Sequence, residues 1–555
     1  MSKPTAPVFS FFPKPFPDVV SQISKMPLQR LLTQTNFQKN SLGWVFCIPL
    51  AAILVLISHG AVSAQVASTV GETVPVTMGK LQGSINTLWM ILATLLVAIA
   101  YGGFAFLNAG FSRYKNVVNA LALNLLAFII TTFVFWSFGF AVLFGTQGNE
   151  IFGSGAWFLG AKTSAIYGLK PFPDGLPLSI FFLFETALAG ITTMIVAGAI
   201  AERVKFRDFL IFTVFLIGIA YSLVGHWVWG GGWLNKMGFH DFAGSTVIHS
   251  VGGWAAFSGL AILGPRMGKY ETKKTNKLPG HSLSWAFLGC LMIWLGWFGV
   301  TGGSVFALKP EVPSILLVVN LAAVSAGFVA MLTSWLQTKK SDLSLIIRGV
   351  LAGLVAISGS CNAVSTVSAI WIGAIAGLLA VLFIGWFDRV RLDDPVGVLS
   401  VHLIGGLWGT IATGIFDSKA GLIKGQFLLL FNQLIGIAAV GIFMIIFSFL
   451  IWTLIKVIFG LRIGIEGEID GLDISEHGIL AYNGFVMEST AELTNIYPDA
   501  SEELLASSES QLSEEESKPA NEIQETDFTE IEASSESGEE TTNSTLENQS
   551  EEVRD

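Results

Sequence analysis

The sequence predicts an all-α integral membrane protein of eleven transmembrane helices, built as two inverted five-helix repeats followed by a final long helix. Three observations predict it. Of 555 residues, 52% are hydrophobic and only 13% charged, a balance that a water-soluble chain of this length does not carry. Apolar runs long enough to cross a hydrocarbon core of about 30 Å recur along most of the chain. One histidine-containing motif also occurs twice, in spans expected to run in opposite directions across the membrane.

Taken in order, residues 1–64 read as a leader. Lys25, Arg30 and Lys39 precede an apolar run over 42–57 that closes on Val62-Ser63-Ala64-Gln65, and the small residues Val62 and Ala64 suit cleavage after Ala64. A membrane domain over 65–460 follows, with spans expected near 86–108, 117–145, 178–200, 207–227, 244–264, 283–304, 313–336, 345–360, 363–386, 397–415 and 426–459. The loops 109–116, 201–208, 265–282, 337–348 and 387–395, with the span edges they enter, hold 15 Lys or Arg, whereas the alternate loops hold six. The basic set is therefore expected to be cytoplasmic, which puts the mature N-terminus outside and the C-terminus inside. Beyond Gly460, residues 461–495 form a mixed cytoplasmic segment with an expected regulatory role. Residues 496–555 form a Ser/Glu-rich tail that cannot bury enough apolar surface to fold alone.

The low pI belongs to that tail. Residues 499–555 carry a net charge of −17 against −10 for the whole chain, leaving the remainder at +7. Cys47, Cys290 and Cys361 lie in apolar runs without CxxC or Cys/His spacing, so neither a disulfide framework nor a metal site is expected. No cofactor or nucleic-acid partner is expected. An enzyme is disfavoured because no nucleophile with a positioned base stands out.

The chemistry is carried by the repeat. Asp241-Phe242-Ala243-Gly244, His249, Gly252-Gly253 and Asp394-Pro395-Val396-Gly397, His402, Gly405-Gly406 both read D-x-x-G-x4-H-x2-G-G. Each Asp sits where a loop meets a span, and Asp394-Pro395 reads as an N-cap with proline at the first helical position. Eight residues at about 1.5 Å rise carry each His about 12 Å inward, against about 15 Å to the midplane. Both imidazoles are thus expected to meet where ionisable groups are costly and mark function, with the glycines allowing close helix approach. The spans hold few carboxylates: Glu185 is one, and Glu202, at a loop edge, suits an ion pair or a cap. Alkali-cation pores show carbonyl or acidic rings, whereas an apolar lining with two weak bases suits a substrate neutral in transit and charged outside. Ammonium meets that description, and potassium cannot shed a proton to enter. Trp229, ending a span on the expected outer side, offers an indole face to a cation, or serves in an interfacial aromatic belt.

Several segments in order resemble the ammonium transporter (Amt/Mep) family, bacterial type with a cleaved signal peptide, over about residues 80–485. They are the VWGGG around Trp229, Asp241–Gly253 (DFAGSTVIHSVGG), Ala199–Val204 (AIAERV), Gly296–Ser304 (GWFGVTGGS), Asp393–His402 (DDPVGVLSVH) and Gly471–Gly478 (GLDISEHG). The resemblance implies a homotrimer with one pore per monomer in the inner (plasma) membrane. It makes His249 and His402 the paired pore histidines. Trp229, Ser304 and Phe184 become the ammonium recruitment site, Trp297 a pore aromatic, and Asp241 an aspartate of structural or proton-path role, with Asp394 its repeat mate. Leu188 and Val300 stand where the family has two gating phenylalanines. The implied mechanism is recruitment of ammonium, deprotonation, and passage of ammonia past the histidines. A cytosolic regulatory protein is an expected partner at the C-terminal segment, and Gly471–Gly478 is expected to couple neighbouring subunits. The alternative function is an ammonium sensor or receptor using the same fold.

Overall fold

The structure, a computed structural model, describes residues 78–155, 157–160, 176–271 and 274–482. The expected leader with its cleavage site and the acidic tail lie outside them. Regular structure among the described residues is helical: α1 (Met78–Phe111), α2 (Tyr114–Phe144), α3 (Leu178–Ile200), α4 (Phe206–Met237), α5 (Ser245–Leu263), α6 (Leu283–Gly303), α7 (Val312–Thr338), α8 (Leu343–Ile357), α9 (Thr366–Arg389), α10 (Leu399–Phe416) and α11 (Leu428–Phe459). Two short helices follow, α12 (Ile465–Asp470) and α13 (Leu472–His477). Ten of these helices are long and apolar enough to cross a membrane, and α8, at 15 residues, is a shorter apolar helix. Each expected span has its helix. The largest shifts are the end of α4, at Met237 rather than near 227, and the start of α1, at Met78 rather than near 86, where helix geometry continues past the apolar run.

The helices are apolar on nearly all sides, so hydrophobic periodicity does not choose the buried face, and small residues do. Along the α1–α6 contact, a Cβ on Gly289 would stand 2.5 Å from the Leu107 amide nitrogen. Only glycine lets these backbones approach so closely. The outward face of α11 keeps Ile442, Ile446 and Leu450 more than 60% exposed, stable in hydrocarbon, where the helix satisfies its own backbone.

The short helix α8 fixes the directions of α5 and α10. Near its start, the Arg348 guanidinium donates to the carbonyls of Val396 at 2.7 Å and Pro395 at 3.2 Å, just ahead of α10. Past its end, the carbonyls of Ser358 and Gly359 accept from the amides of Ala243 and Phe242, at 2.9 and 3.0 Å, just ahead of α5. Thus α5 and α10 start from opposite ends of α8 and run antiparallel, as the inverted repeat requires.

The loop face rich in Lys and Arg is held by a buried ion cluster. Arg266 binds Asp393 through Nε at 2.8 Å and Nη2 at 2.9 Å, and Glu202 through Nη1 at 2.6 Å. Glu202, fully buried, also pairs with Arg113 and accepts from Asn116 Nδ2 at 3.1 Å, so the expected ion pair forms. The C-terminal helices dock on the same face. Asp473 accepts from the Asn119 amide at 2.9 Å near the start of α2, an N-capping role supplied from over 350 residues away. Glu468 accepts from the Met267 amide at 2.7 Å and from Arg462 Nη2 at 2.7 Å. Within one chain, therefore, Gly471–Gly478 binds the chain's own loops. Truncation after Gly464 strips these partners from the loops, and its expected result is reduced flux at equal surface expression. Truncation after Asn495 removes none of them and leaves flux nearly unchanged. Uptake assays on both truncations check this, and equal losses contradict it.

Candidate functional site

Both Asp-x-x-Gly segments build the same cap. Asp241 Oδ1 accepts from the Gly244 amide at 3.0 Å, and Oδ2 accepts from Thr246 at 2.8 Å and Val247 at 2.9 Å. Asp394 repeats this on Gly397 at 2.9 Å and Leu399 at 2.7 Å. The two glycines sit at φ +99° and +88°, a left-handed turn that brings the amides back over the carboxylate and that side chains disfavour. Burial raises both carboxyls above the ordinary aspartate range, against the pull of the amide hydrogen bonds. Proline at the first helical position is corrected here: α10 begins past Pro395, because the carboxylate reaches over an intervening turn to cap the helix.

From these caps each chain enters a wide, π-type stretch, Ser245–Ser250 and Leu399–Ile404, that contains its histidine. Such turns cluster at functional sites because they re-aim a side chain out of the regular helical register. The two imidazoles meet: His402 Nδ1 lies 3.2 Å from His249 Nδ1. One nitrogen must donate and the other accept, so the neutral rings hold complementary tautomers. His249 stacks on Trp297 at 5.1 Å between centroids, with Trp297 Nε1 anchored on Ser358 Oγ at 2.9 Å. His249 Nε2 has no hydrogen-bond partner among the described residues. The motif's glycines permit the crossing, since a Cβ on Gly253 would stand 2.7 Å from Leu403 Cα and one on Gly406 2.6 Å from the Ser245 carbonyl oxygen.

At the α5-start side lies a cavity of about 390 Å³, lined by Trp229, Asp241, Ser304, Leu188, Glu185 and Phe306 among others. Trp229 Nε1 donates to the Asp241 carbonyl at 2.7 Å, which orients the indole. Ser304 Oγ donates to the Val300 carbonyl at 2.8 Å and so keeps its lone pairs for an incoming N–H donor. Val300 is buried one turn below Ser304 and does not line the cavity, whereas Leu188 does. Phe184 is fully buried behind Phe306, meeting it edge-on at 5.9 Å. The aromatic faces on the cavity include Phe181 and Phe306, 5.2 Å apart, which the sequence reading did not single out. Phe181 had a legible signal, since it shares an i, i+4, i+7 stripe of α3 with Glu185 and Leu188. Phe306 had none, standing at φ +58° in the irregular chain after α6. Among the described residues no cluster of three or more His, Cys, Asp or Glu is arranged to hold a metal.

A sequence model described as the Ammonium Transporter Family matches residues 88–482. The ammonium transporter Amt2 of Archaeoglobus fulgidus is 34% identical over 468 residues, covering 80% of this chain and 96% of that protein. The ammonium transporter of Bacillus subtilis is 35% identical over 409 residues, 72% of this chain and 98% of its own. Among solved structures, a sensor Amt protein superposes with a TM-score of 0.68 at 34% identity over 72% of this chain and 100% of its own. Mep2 of Candida albicans does so with a TM-score of 0.67 at 25% identity over 75% and 96%.

Proposed function

The chain belongs to the ammonium transporter family and is a multi-pass membrane protein that transports ammonium; from that premise we propose how its residues divide the work. Ammonium is recruited in the cavity beside Trp229, where the indole face attracts the cation and Ser304 Oγ accepts one of its N–H groups. Leu188 closes the inner side of the cavity as an aliphatic plug. Deprotonation precedes that plug, and ammonia passes the His249–His402 pair beside Trp297. Asp241 and Asp394 hold the two half-site helices at the depth that brings the rings together. The observation that supports this reading most directly is the 3.2 Å contact between imidazoles from two antiparallel helices, because a pair of uncharged weak bases passes a neutral amine and offers no counter-charge to an alkali cation.

The protein acts as a transporter rather than an enzyme. The assembly is a homotrimer in the inner (plasma) membrane, with its N-terminus outside and the docked C-terminal segment in the cytoplasm, where a regulatory protein binds. The test is reconstitution of the full chain, with labelled methylammonium uptake and ammonium-evoked current recorded together. Saturable uptake that potassium does not replace is expected. Ammonium binding without flux would turn the reading into a receptor.

The aliphatic plug carries its own prediction. Leu188→Phe adds an aromatic face to the cavity beside Trp229, and one cation–π contact is worth about 0.5–2 kcal/mol. Ammonium should bind about twofold to thirtyfold more tightly in Leu188→Phe, with slower turnover because a ring must move aside. Val300→Phe, placed off the cavity, should add little. A titration of uptake against ammonium concentration measures this, and an unchanged half-saturation point in Leu188→Phe contradicts it.

A further inference from the structure

The recruitment scheme leaves a buried carboxylate unused. Glu185 lies on α3 one turn from Leu188, is 2% exposed, and lines the same cavity as Trp229 and Ser304. Its Oε2 has no hydrogen-bond partner among the described residues. A structural carboxylate in this protein looks different: Glu202, equally buried, is neutralised by Arg266 at 2.6 Å and by Arg113. Among the described residues nothing comparable serves Glu185. The cavity's other ionisable groups are Asp241, committed to three backbone amides, and His240, whose Nε2 lies 3.2 Å from Asn362 Oδ1. On the helices packed against α3, the Tyr101 hydroxyl donates to the Ala187 carbonyl, and the buried Tyr221 hydroxyl has no partner among the described residues. A buried carboxylate without a counter-charge is costly, and a cation entering the cavity would relieve that cost.

We propose that Glu185 is the counter-charge and proton acceptor for ammonium in this cavity, an assignment that rests on the transport reading above. Ammonium sits between the Trp229 indole face, Ser304 Oγ and the Glu185 carboxylate. Beside the apolar wall of Leu188 and Phe181, an ion pair is less stable than the neutral pair formed from it. One N–H bond of ammonium breaks, the proton bonds to Oε2, and the electron pair stays on nitrogen. Ammonia and a neutral glutamic acid result. Ammonia crosses Leu188, and the proton passes from Oε2 to water in the cavity, which restores the carboxylate for the next ion. Potassium is drawn by the same carboxylate but has no proton to give. It therefore stays at the cavity as a competitor and does not follow.

The experiment compares wild type, Glu185→Gln and Glu185→Asp as full chains reconstituted in vesicles. Gln keeps the shape and hydrogen-bonding ends of Glu while removing the charge and the proton-accepting oxygen. In Glu185→Gln, the methylammonium concentration for half-maximal uptake should rise about tenfold or more, the scale of one lost charge-assisted hydrogen bond. Inhibition by potassium should disappear with it, and Glu185→Asp should retain that inhibition. Infrared difference spectra on adding ammonium should show a protonated-carboxyl band in wild type and none in Glu185→Gln. A Glu185→Gln protein with wild-type half-saturation and potassium sensitivity overturns the assignment, whatever its melting temperature. Wild type that takes up no methylammonium yet shows the band overturns the transport reading and keeps the carboxylate's role. Wild type without the band overturns the role of Glu185 even where uptake is normal.

Discussion

Alanine at His249 or His402 is expected to cut ammonium-selective uptake sharply while the protein stays assembled. The two rings share one hydrogen bond at 3.2 Å, so either substitution leaves the surviving Nδ1 without its partner in an apolar span. A buried polar group left unsatisfied costs about 1–3 kcal/mol. If that cost falls on the crossing step, selective uptake drops about fivefold to 150-fold. His249→Ala should be the more damaging of the two, because it also removes the ring stacked on Trp297 at 5.1 Å. Labelled methylammonium uptake in reconstituted vesicles, with sizing of the assembly, measures both effects. Potassium leakage in a variant fits the proposed role of the pair. Unchanged uptake and selectivity in both variants sinks it.

Arg266→Met should be the most destabilising single change on the loop face. Arg266 is 3% exposed and pairs with Glu202 and Asp393 together, so its loss leaves buried Asp393 without its ion-pair partner and Glu202 with Arg113 alone. Breaking a buried pair in this way costs about 3–5 kcal/mol. Arg203 does not substitute for it, because its guanidinium hydrogen bonds go to the carbonyls of Ala201, Gly264 and Asp393.

The pH dependence gives that prediction a sign. Burial alone would raise both carboxyls, but Arg266, with Arg113 beside Glu202 and Arg203 near Asp393, outweighs it and holds Asp393 and Glu202 below the ordinary carboxylate range. A depressed folded-state value contributes stability above the unfolded values of about 4, lost only as pH falls through the lower folded values. Wild type should therefore keep this contribution from neutral pH down to about pH 4. Without Arg266 the largest opposing charge is gone, and burial shifts both folded-state values upward. The deficit of Arg266→Met should then shrink as pH falls from 7 toward 4.5, because protonation removes charges that Arg266 no longer balances. Thermal melts in detergent at both pH values decide it. A deficit independent of pH would mean that packing, and not charge, is what Arg266 supplies.

Much of this site was legible because its determinants are local. A carboxylate at a span edge, a glycine three residues on and a histidine five residues further define a cap, a turn and a depth, all within one stretch of chain. The same holds for Glu202, whose position at a loop edge already pointed to an ion pair or a cap, of which the ion pair forms. Other assignments depended on partners far away in sequence. Phe184 and Val300 occupy family-like positions, yet the cavity wall takes Phe181 and Phe306. Pro395 reads as the start of a helix that the reach of Asp394 delays. Nothing in residues 461–482 announces that Asp473 caps α2.

Local sequence sets the order of the apolar helices, the inverted pairing of two half-sites and the register of each histidine within its helix, since length, capping and helical rise are properties of a single segment. Tertiary packing sets which side chains wall the cavity, that the imidazoles meet through Nδ1, that Glu185 has no counter-charge among the described residues, and where the C-terminal segment docks. In helices that are apolar on nearly every side, burial offers no hydrophobic contrast to read. The faces that meet are chosen by glycine-sized gaps and by hydrogen bonds between residues more than a hundred positions apart.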